Sequence, residues 1–271
     1  MKTNTMSLET EKDQVRSYVR EQYGAIAETN AKGCCAPPPT GGGCCAGPIG
    51  GTNPDILGYD PQAVAELPAG AEMGLGCGNP LALASLQPGE TVVDLGSGGG
   101  IDCFLAAKRV GPGGRVIGVD MTPAMISKAR QNAAKGKYAN VEFRLGEIEH
   151  LPVADNTATL LISNCVINLS PDKAQVIREC HRVLKAGGRL SFSDIVATAA
   201  IPAEVQQDLA VHAGCVAGAA HVTELERMLK DAGFRSIRIT PNEASRQFIN
   251  EWFPGKQAGD YVVSALIEAV K

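Results

Sequence analysis

The sequence predicts an α/β fold in which a mainly parallel, twisted sheet carries helices on both faces. From residue 91 onward, short β-branched and apolar segments alternate with segments that show the apolar periodicity of helices. A glycine-rich loop follows the first of these strands and leads directly into a helix. Because each helix returns the chain to the same end of the sheet, successive strands run in parallel. The order of these elements is Rossmann-like.

The first element is a helix, predicted over residues 8–30. Val15, Val19 and Ile26 fall on one side of it, and glutamate, lysine and arginine residues fall on the other. The apolar side would allow the helix to pack on a core or to clamp a ligand. We interpret the charged residues as its solvated face.

A segment of unusual composition follows this helix. Of the 19 residues from 33 to 51, 15 are glycine, proline or cysteine, so the segment is expected to form a flexible arm. It carries two vicinal pairs, Cys34-Cys35 and Cys44-Cys45. We expect three regions in the chain: an N-terminal helix and arm at 1–75, a core at 76–200 and a C-terminal segment completing the sheet at 201–271.

The regular part of the chain begins after Gln87. Gly111-Pro112 ends its first helix, and Thr122 is placed to cap the second, with Pro123 at the first helical position. The predicted helices cover residues 101–110, 123–135, 171–185 and 223–232. The predicted strands cover residues 91–95, 115–119, 141–145, 159–163, 189–195, 235–240 and 261–270.

The loop at residues 94–100, DLGSGGG, predicts a nucleotide-type site. Its glycines permit backbone angles closed to other residues and let a ligand approach without Cβ contacts. Asp94 stands just before the loop, where it would repel a phosphate. Asp120 ends the second strand, where a carboxylate can accept both hydroxyls of a ribose. The two carboxylates therefore suit S-adenosylmethionine, with Asp94 near its cationic methionyl end and Asp120 on the ribose.

Other predicted cofactor contacts lie where parallel strands end, since α/β sheets bind ligands at that edge. We expect Ile148 to pack against adenine, Glu149 to lie near its exocyclic amine, and Asn164 to face the methionyl end or the acceptor. The predicted cofactor-binding residues are Asp94, Gly96, Ser97, Gly98, Gly100, Asp120, Met121, Ile148, Glu149 and Asn164.

The acceptor half of the site is predicted from cysteines. An oxygen or nitrogen acceptor usually needs a base, but the fourth strand ends in SNCVINL at residues 163–169, which offers Cys165 and no base. Cys77 and Cys215 also lie in glycine-rich loops, so the three thiols can converge above the sheet. Soft thiolates select thiophilic centres, and trivalent arsenic takes three of them and keeps its lone pair free. That lone pair bears no proton.

Sequence motifs spread over nearly the whole chain resemble those of bacterial arsenite S-adenosylmethionine methyltransferases. The matching motifs are GLGCGNP at 74–80, DLGSGGGIDC at 94–103, GVDMT at 118–122, SNCVINLSPDK at 163–173, HRVLKAGGRLSFSD at 181–194 and GCVAGA at 214–219. The resemblance implies a class I methyltransferase core and an activity that converts arsenite to methylated arsenicals. It also implies that Cys165 and Cys215 hold As(III) and that Cys77 supplies a third thiol.

By the same resemblance, an N-terminal cysteine joins a disulfide relay. The family has one cysteine or one cysteine pair before the GCG loop, which lies at residues 76–78 here, whereas this chain has two pairs. Distance to Cys77 favours Cys44 or Cys45, although a flexible arm would allow either pair to reach it. Methylation formally oxidises arsenic, so a thiol reductant, glutathione or thioredoxin, must restore the thiols.

The remaining conspicuous residues have simpler interpretations. We predict that Cys103 and Cys180 are buried as small apolar side chains. His212 and His221 are interpreted as packing or capping residues. Trp252 is interpreted as a core anchor.

Composition excludes several classes of partner. The net charge of -4 argues against nucleic acid, and no signal peptide or apolar stretch of about 18 residues indicates a membrane. Nine cysteines, an odd number, argue against a disulfide scaffold, and no CxxC or paired histidine pattern indicates zinc. We expect a cytoplasmic monomer.

Two other functions fit parts of the sequence. One is methylation of a small carbon or oxygen acceptor such as a quinone, with the cysteines incidental. The other is a thiol-rich metalloid-binding protein without catalysis. Loss of turnover on thiol blocking would argue against the first, and binding of S-adenosylmethionine would argue against the second.

Overall fold

The computed structural model describes residues 2–29, with side chains from Glu9 onward, and residues 54–82, 84–253 and 255–271. The arm cysteines Cys34, Cys35, Cys44 and Cys45 lie outside these ranges. The strands are β1 Thr91–Leu95, β2 Arg115–Asp120, β3 Val141–Leu145, β4 Ala158–Asn164, β5 Leu184–Ala197, β6 Arg235–Asn242 and β7 Val262–Val270. The helices are α1 Lys2–Thr29, α2 Pro61–Ala65, α3 Ile101–Val110, α4 Pro123–Lys135, α5 Lys173–Val183, α6 Ala203–Gln206, α7 Leu209–Ala213, α8 Val222–Asp231 and α9 Ser245–Trp252.

Within these ranges, seven strands form one sheet in the order β3-β2-β1-β4-β5-β7-β6. The pairings from β3 through β5 are parallel, and β7 is antiparallel to both β5 and β6. The prediction of a mainly parallel α/β sheet is confirmed. Because β1 and β4 are neighbours although β2 and β3 come between them in sequence, the strand order reverses beside β1, where such sheets bind ligands.

The sheet is covered on both faces, as predicted. Val92 of β1 packs in a cluster with α3 and α4, while the next residue, Val93, packs in a cluster with α5 and α8. Both valines are fully buried. Since successive side chains of a strand point to opposite faces, this arrangement explains why the parallel strands are apolar throughout. The central strands are therefore fixed from both sides, and their carboxyl ends present a rigid edge.

The end of α5 and the start of β5 differ from the predicted boundaries. Helix α5 ends at Val183, and Leu184 already pairs with Ala158, so β5 begins five residues before the predicted strand. The register then shifts, and Gly187 with φ +75° permits the irregular turn. At α4, Thr122 holds the N-cap position, but its side chain makes no capping hydrogen bond. Its backbone N–H instead donates to Asp120 Oδ1 at 2.8 Å.

The helix α9 was missed because its segment is short. Its buried residues Ser245, Ile249 and Trp252 have helical spacing, which was the available signal. Trp252 is buried, as predicted. Among the described helices, none has the length and apolar character required to cross a bilayer.

Candidate active site

A cavity lies at the carboxyl ends of β1, β2 and β4 and encloses about 1100 Å³ when the part open to solvent is included. Nine of the ten predicted cofactor residues line it: Asp94, Gly96, Ser97, Gly98, Asp120, Met121, Ile148, Glu149 and Asn164. Gly100 does not line it. Gly100 instead caps α3 with φ +99°, where a Cβ would lie 2.7 Å from Phe104. The glycine is therefore needed for packing and for the turn, and not as a cavity wall.

The glycine loop is held against the end of β2. Gly96 N donates to the Val119 carbonyl at 2.8 Å, and Gly98 N donates to Asp120 Oδ2 at 3.0 Å. Gly96 has φ +70°, and a Cβ there would lie 2.7 Å from Val166 Cγ1. The loop thus lies directly against the residue that follows Cys165.

Three aspartates line the cavity together with Glu72 and Glu149: Asp94, Asp102 and Asp120. Burial raises the pKa of Asp94 well above its usual range, and the charges of Asp102 and Asp120 raise it further. Burial raises the pKa of Asp102 to about 6 and also raises that of Asp120. Because buried carboxylates that repel one another are stabilised by a cation, this wall favours a positively charged ligand.

Asp102 was not identified from the sequence. It accepts a hydrogen bond at 2.8 Å from the hydroxyl of Tyr59, which was also missed. The signal for Asp102 was its position in the first turn of the helix that follows the glycine loop. Tyr59 had no comparable signal, because it precedes the regular part of the chain and reaches the site only through tertiary packing.

The structure brings the three predicted thiols together. Cys77, Cys165 and Cys215 are buried in one apolar cluster. Burial raises the pKa of Cys165, and the contacts with the thiols of Cys215 and Cys77 raise it further. Cys215 Sγ donates to the Cys165 carbonyl at 2.8 Å. Of the three, Cys165 lines the cavity, so it joins the thiol group to the space beside the glycine loop.

Two of these cysteines have unusual backbone conformations. Cys165 has φ +59° and Cys215 has φ +66°, in the left-handed region that side chains other than glycine, asparagine and aspartate seldom occupy. Such conformations cost energy and are concentrated at functional sites. The backbone strain at both positions supports a functional interpretation of the two thiols.

The Cys77 loop is fixed by polar contacts. Cys77 N donates to Asn164 Oδ1 at 3.0 Å, and Ser264 Oγ donates to the Cys77 carbonyl at 2.8 Å. The amide of Asn164 also donates to the Tyr59 hydroxyl at 2.9 Å and to the Gly78 carbonyl at 2.8 Å. Asn164 therefore links the carboxyl-lined wall to the thiol group.

Asp194 is a further buried acid beside the thiols that was not predicted. One of its oxygens and the sulfurs of Cys77 and Cys165 all lie within 4.8 Å of one another. Burial raises its pKa to about 6. The sequence signal was a charged residue inside a strand that is otherwise buried.

The remaining residues behave as predicted. Cys103 and Cys180 are fully buried. Cys103 is not only an apolar side chain, because its Sγ donates to Asp94 Oδ2 at 3.2 Å. His221 caps α8, where its Nδ1 accepts from Thr223 N at 3.3 Å, and a ring nitrogen of His212 contacts the Leu169 carbonyl at 3.3 Å. Neither histidine lines the cavity.

Known proteins with similar sequences give the family. A family model described as a methyltransferase domain matches residues 86–233. A protein of Halobacterium salinarum named arsenite methyltransferase is 51% identical over 274 aligned residues, which cover 98% of this chain and 69% of that protein. This chain belongs to the arsenite methyltransferase family.

Two further relatives have the same functional name or description. An arsenite methyltransferase of Aquipseudomonas alcaligenes is 41% identical, over 62% of this chain and 50% of that protein. The crystal structure of an arsenic(III) S-adenosylmethionine methyltransferase from Chlamydomonas reinhardtii superposes with a TM-score of 0.61 at 34% identity, covering 80% of this chain and 72% of that one. The chain thus spans from half to about seven tenths of these arsenite methyltransferases.

The cavity of this arsenite methyltransferase fits the cofactor of its family. Ser97 Oγ is buried and has no hydrogen-bond partner among the described residues. A buried hydroxyl without a partner is costly, so its presence in the cavity wall indicates a polar ligand group there. Together with the three carboxyls, it suits a cationic ligand that also carries hydrogen-bonding groups, as S-adenosylmethionine does.

Helix α1 closes one side of the cavity. Arg16, Val19 and Tyr23 line it. The interpretation of the α1 charges as a solvated face is wrong for three of them, because they reach acids of the core. The ion pairs are Lys12 with Asp172 at 2.9 Å, Arg16 with Glu149 at 3.4 Å, and Arg20 with Glu147 at 3.1 Å.

Removing the ion pairs of Arg16 and Arg20 is expected to loosen α1. In the double variant Arg16→Gln/Arg20→Gln, we expect S-adenosylmethionine to dissociate about twofold to fivefold faster, since partly exposed ion pairs contribute modestly. Stopped-flow release and hydrogen exchange of α1 measure the effect. Arg227→Gln, which removes an exposed pair with Asp231, is the matched control. Unchanged release in the double variant would contradict a closing role for α1.

Acidification is expected to weaken cofactor binding. Asp102 must be ionised to favour a cation, and its raised pKa of about 6 means that it becomes protonated as the pH falls through that value. Between about pH 7.5 and about pH 5.5, affinity for S-adenosylmethionine should fall about fourfold. Calorimetry across this range measures the loss. Asp102→Asn should bind more weakly above about pH 6 and show a smaller fall in affinity on acidification. An unchanged pH profile in that variant would contradict the assignment.

Proposed function

We propose that this chain transfers the methyl group of S-adenosylmethionine to arsenite held by Cys77, Cys165 and Cys215. The observation that carries this proposal is that the thiol group and the carboxyl-lined wall meet at one cavity, with Cys165 in its lining. The relatives' names support the same substrate.

The thiols bind the substrate by exchange. Each thiol forms one As–S bond and breaks one As–O bond, and its proton leaves with the hydroxyl group as water. Three exchanges leave arsenic in a pyramid of sulfurs with its lone pair free. The raised pKa of Cys165 is compatible with this step, because the thiol proton is needed to form water. No base has to remove a proton from the attacking atom.

The carboxyl-lined wall binds and orients the cofactor. When bound, S-adenosylmethionine supplies an electrophilic methyl group on a sulfonium. Asp94 and Asp102 would stabilise its positive charges, and Asp120 would accept hydrogen bonds from the ribose. Ile148 would pack against adenine, and Glu149 would accept from its amine.

Asn164 and helix α1 keep the cofactor pocket and the thiols in a fixed relative position. Asn164 connects Cys77 to Tyr59 and thereby to Asp102. Helix α1 covers the cavity and excludes water. A fixed relation between the two halves is what an in-line transfer requires, because the attacking atom must lie about 3 Å from the methyl carbon.

The thiols must be restored after each transfer, because arsenic is formally oxidised when its lone pair forms the new bond. We propose that the thiolate of Cys44 or Cys45 attacks the arsenic-bound sulfur of one site cysteine. The new S–S bond forms as that As–S bond breaks, the bonding pair returns to arsenic as its lone pair, and glutathione or thioredoxin then reduces the disulfide. The need for reduced thiols is consistent with action in the cytoplasm. We propose that the chain acts as a monomer.

The test is a product assay with the full chain. Arsenite, methyl-labelled S-adenosylmethionine and a dithiol are incubated with the protein, and mass spectrometry follows the label. Labelled methylated arsenicals are expected, in amounts that fall when the thiols are blocked. If the cofactor binds but no labelled arsenical forms, the proposal is wrong.

A further inference from the structure

The acceptor site contains a carboxylate that three-coordinate arsenic does not require. An oxygen of Asp194 and the sulfurs of Cys77 and Cys165 all lie within 4.8 Å of one another, and all three residues are buried. We propose that these three groups, with Cys215 as the fourth ligand, bind a zinc-like divalent cation that competes with arsenite. The competition rests on the proposed function, whereas the cation site itself does not.

The hydrogen bonds of Asp194 suit a ligand. Its Oδ1 accepts from Asn168 Nδ2 at 2.9 Å and from Ile195 N at 2.8 Å. Its Oδ2 accepts one bond, from Ile167 N at 2.9 Å, so a lone pair remains available on that oxygen. Ligating carboxylates are typically fixed by hydrogen bonds of this kind. Asp194 is therefore oriented before any cation binds.

The thiols supply the rest of the coordination. The thiol of Cys165 contacts those of both Cys77 and Cys215. Cys215 lies outside the group whose ligand atoms are all within 4.8 Å of one another, so its side chain must move toward the cation to become the fourth ligand. Zinc prefers four ligands in a tetrahedron and accepts mixtures of sulfur and carboxylate oxygen. Each thiol releases its proton on binding.

The site has no local sequence pattern, because its ligands come from four separate segments. It also distinguishes two kinds of ion. Arsenic(III) is satisfied by three sulfurs, whereas a tetrahedral cation gains from the carboxylate. A bound divalent cation has no lone pair that can attack a methyl group, so the occupied site is inhibited.

Zinc binding is tested on the full chain with Cys34, Cys35, Cys44 and Cys45 changed to serine, which removes the competing thiols of the arm. Titration with Zn²⁺ against a chromophoric indicator is expected to show one tight site per chain. X-ray absorption at the zinc edge should show two or three sulfurs at about 2.3 Å and an oxygen at about 2.0 Å. Absence of binding, or a shell without sulfur or without oxygen, would overturn the proposal.

Substitution of Asp194 distinguishes the contribution of the carboxylate to zinc binding from that of the thiols. Loss of an outer-shell partner alone weakens metal binding 10- to 100-fold, so Asp194→Asn should lower zinc affinity by roughly tenfold or more. Its arsenite affinity should change less than about twofold, and Cys180→Ala, a buried cysteine elsewhere, should change neither. Equal zinc affinity in folded Asp194→Asn contradicts the proposal. If that variant does not fold, the absorption spectrum of the arm-substituted chain decides.

Competition between Zn²⁺ and arsenite distinguishes failure of this proposal from failure of the proposed function. Added Zn²⁺ is expected to raise the apparent Kd for arsenite in proportion to its concentration. Arsenite binding that is insensitive to Zn²⁺ would overturn the proposal and leave the methyltransferase function intact. Tight zinc binding in a chain that binds no arsenite would support the cation site and contradict the proposed function.

Discussion

Replacing Cys165 with serine is expected to abolish arsenite methylation while leaving S-adenosylmethionine binding near that of the unmodified chain. Cys165 is the thiol in the cavity lining and contacts the other two. A serine hydroxyl is a hard ligand that does not replace a thiolate on a soft centre, so activity should fall below about 1%. Arsenical products and cofactor affinity are measured on the same preparation.

Cys180→Ser is the matched control, because Cys180 is equally buried but lies in α5, away from the cavity. It should retain methylation, although its Tm will fall if the new hydroxyl has no partner. Full activity in Cys165→Ser would refute the assignment of the thiols. Loss of cofactor binding in that variant would show a general structural defect instead.

Gly96→Ala is expected to lower affinity for S-adenosylmethionine by at least about tenfold. The residue has φ +70°, which strains any side chain, and its Cβ would lie 2.7 Å from Val166 Cγ1. Either the loop moves into the cavity or Val166 moves away, and the second change would disturb Cys165. Methylation should therefore fall more than cofactor saturation alone explains.

Calorimetry measures the cofactor affinity of Gly96→Ala. Turnover at saturating cofactor measures its additional loss of methylation. Gly89→Ala is the control, because it has φ +85° but nothing within 4 Å of the added Cβ. It should cost stability without changing the Kd for the cofactor. If Gly96→Ala and Gly89→Ala bind the cofactor equally well, Gly96 is not needed for close approach of the loop to the ligand.

The sheet could be predicted from the sequence because its signals are local. Glycine and proline end the helices, and continuous apolar segments mark strands that are covered on both faces. The early start of β5 had no such signal, since Lys185, Ala186 and two glycines interrupt the apolar pattern. Pairing of Leu184 with Ala158 is a tertiary effect.

The thiol group could be predicted because each cysteine lies in a distinctive loop. Tyr59 could not, since it precedes the regular part of the chain and has no sequence signal. Asp102 and Asp194 each had a weak signal, but an acid after a glycine loop or inside an apolar strand does not by itself distinguish a site from a structural role. Their importance follows from burial and from the groups that they contact. For Lys12, Arg16 and Arg20 of α1 the error is the opposite one, because side chains predicted to face solvent form ion pairs with other parts of the chain. A charged helix face usually faces solvent, but here acids after β3 and before α5 lie opposite it.

The central claim is that three thiols of one chain hold arsenic beside the cofactor cavity. X-ray absorption at the arsenic edge, on the chain with one equivalent of arsenite and the four arm cysteines changed to serine, tests it most directly. Three sulfur neighbours and no oxygen are predicted, with one sulfur lost in Cys165→Ser. An arsenic atom that keeps its oxygens, or a sulfur count unchanged by Cys165→Ser, would contradict the claim.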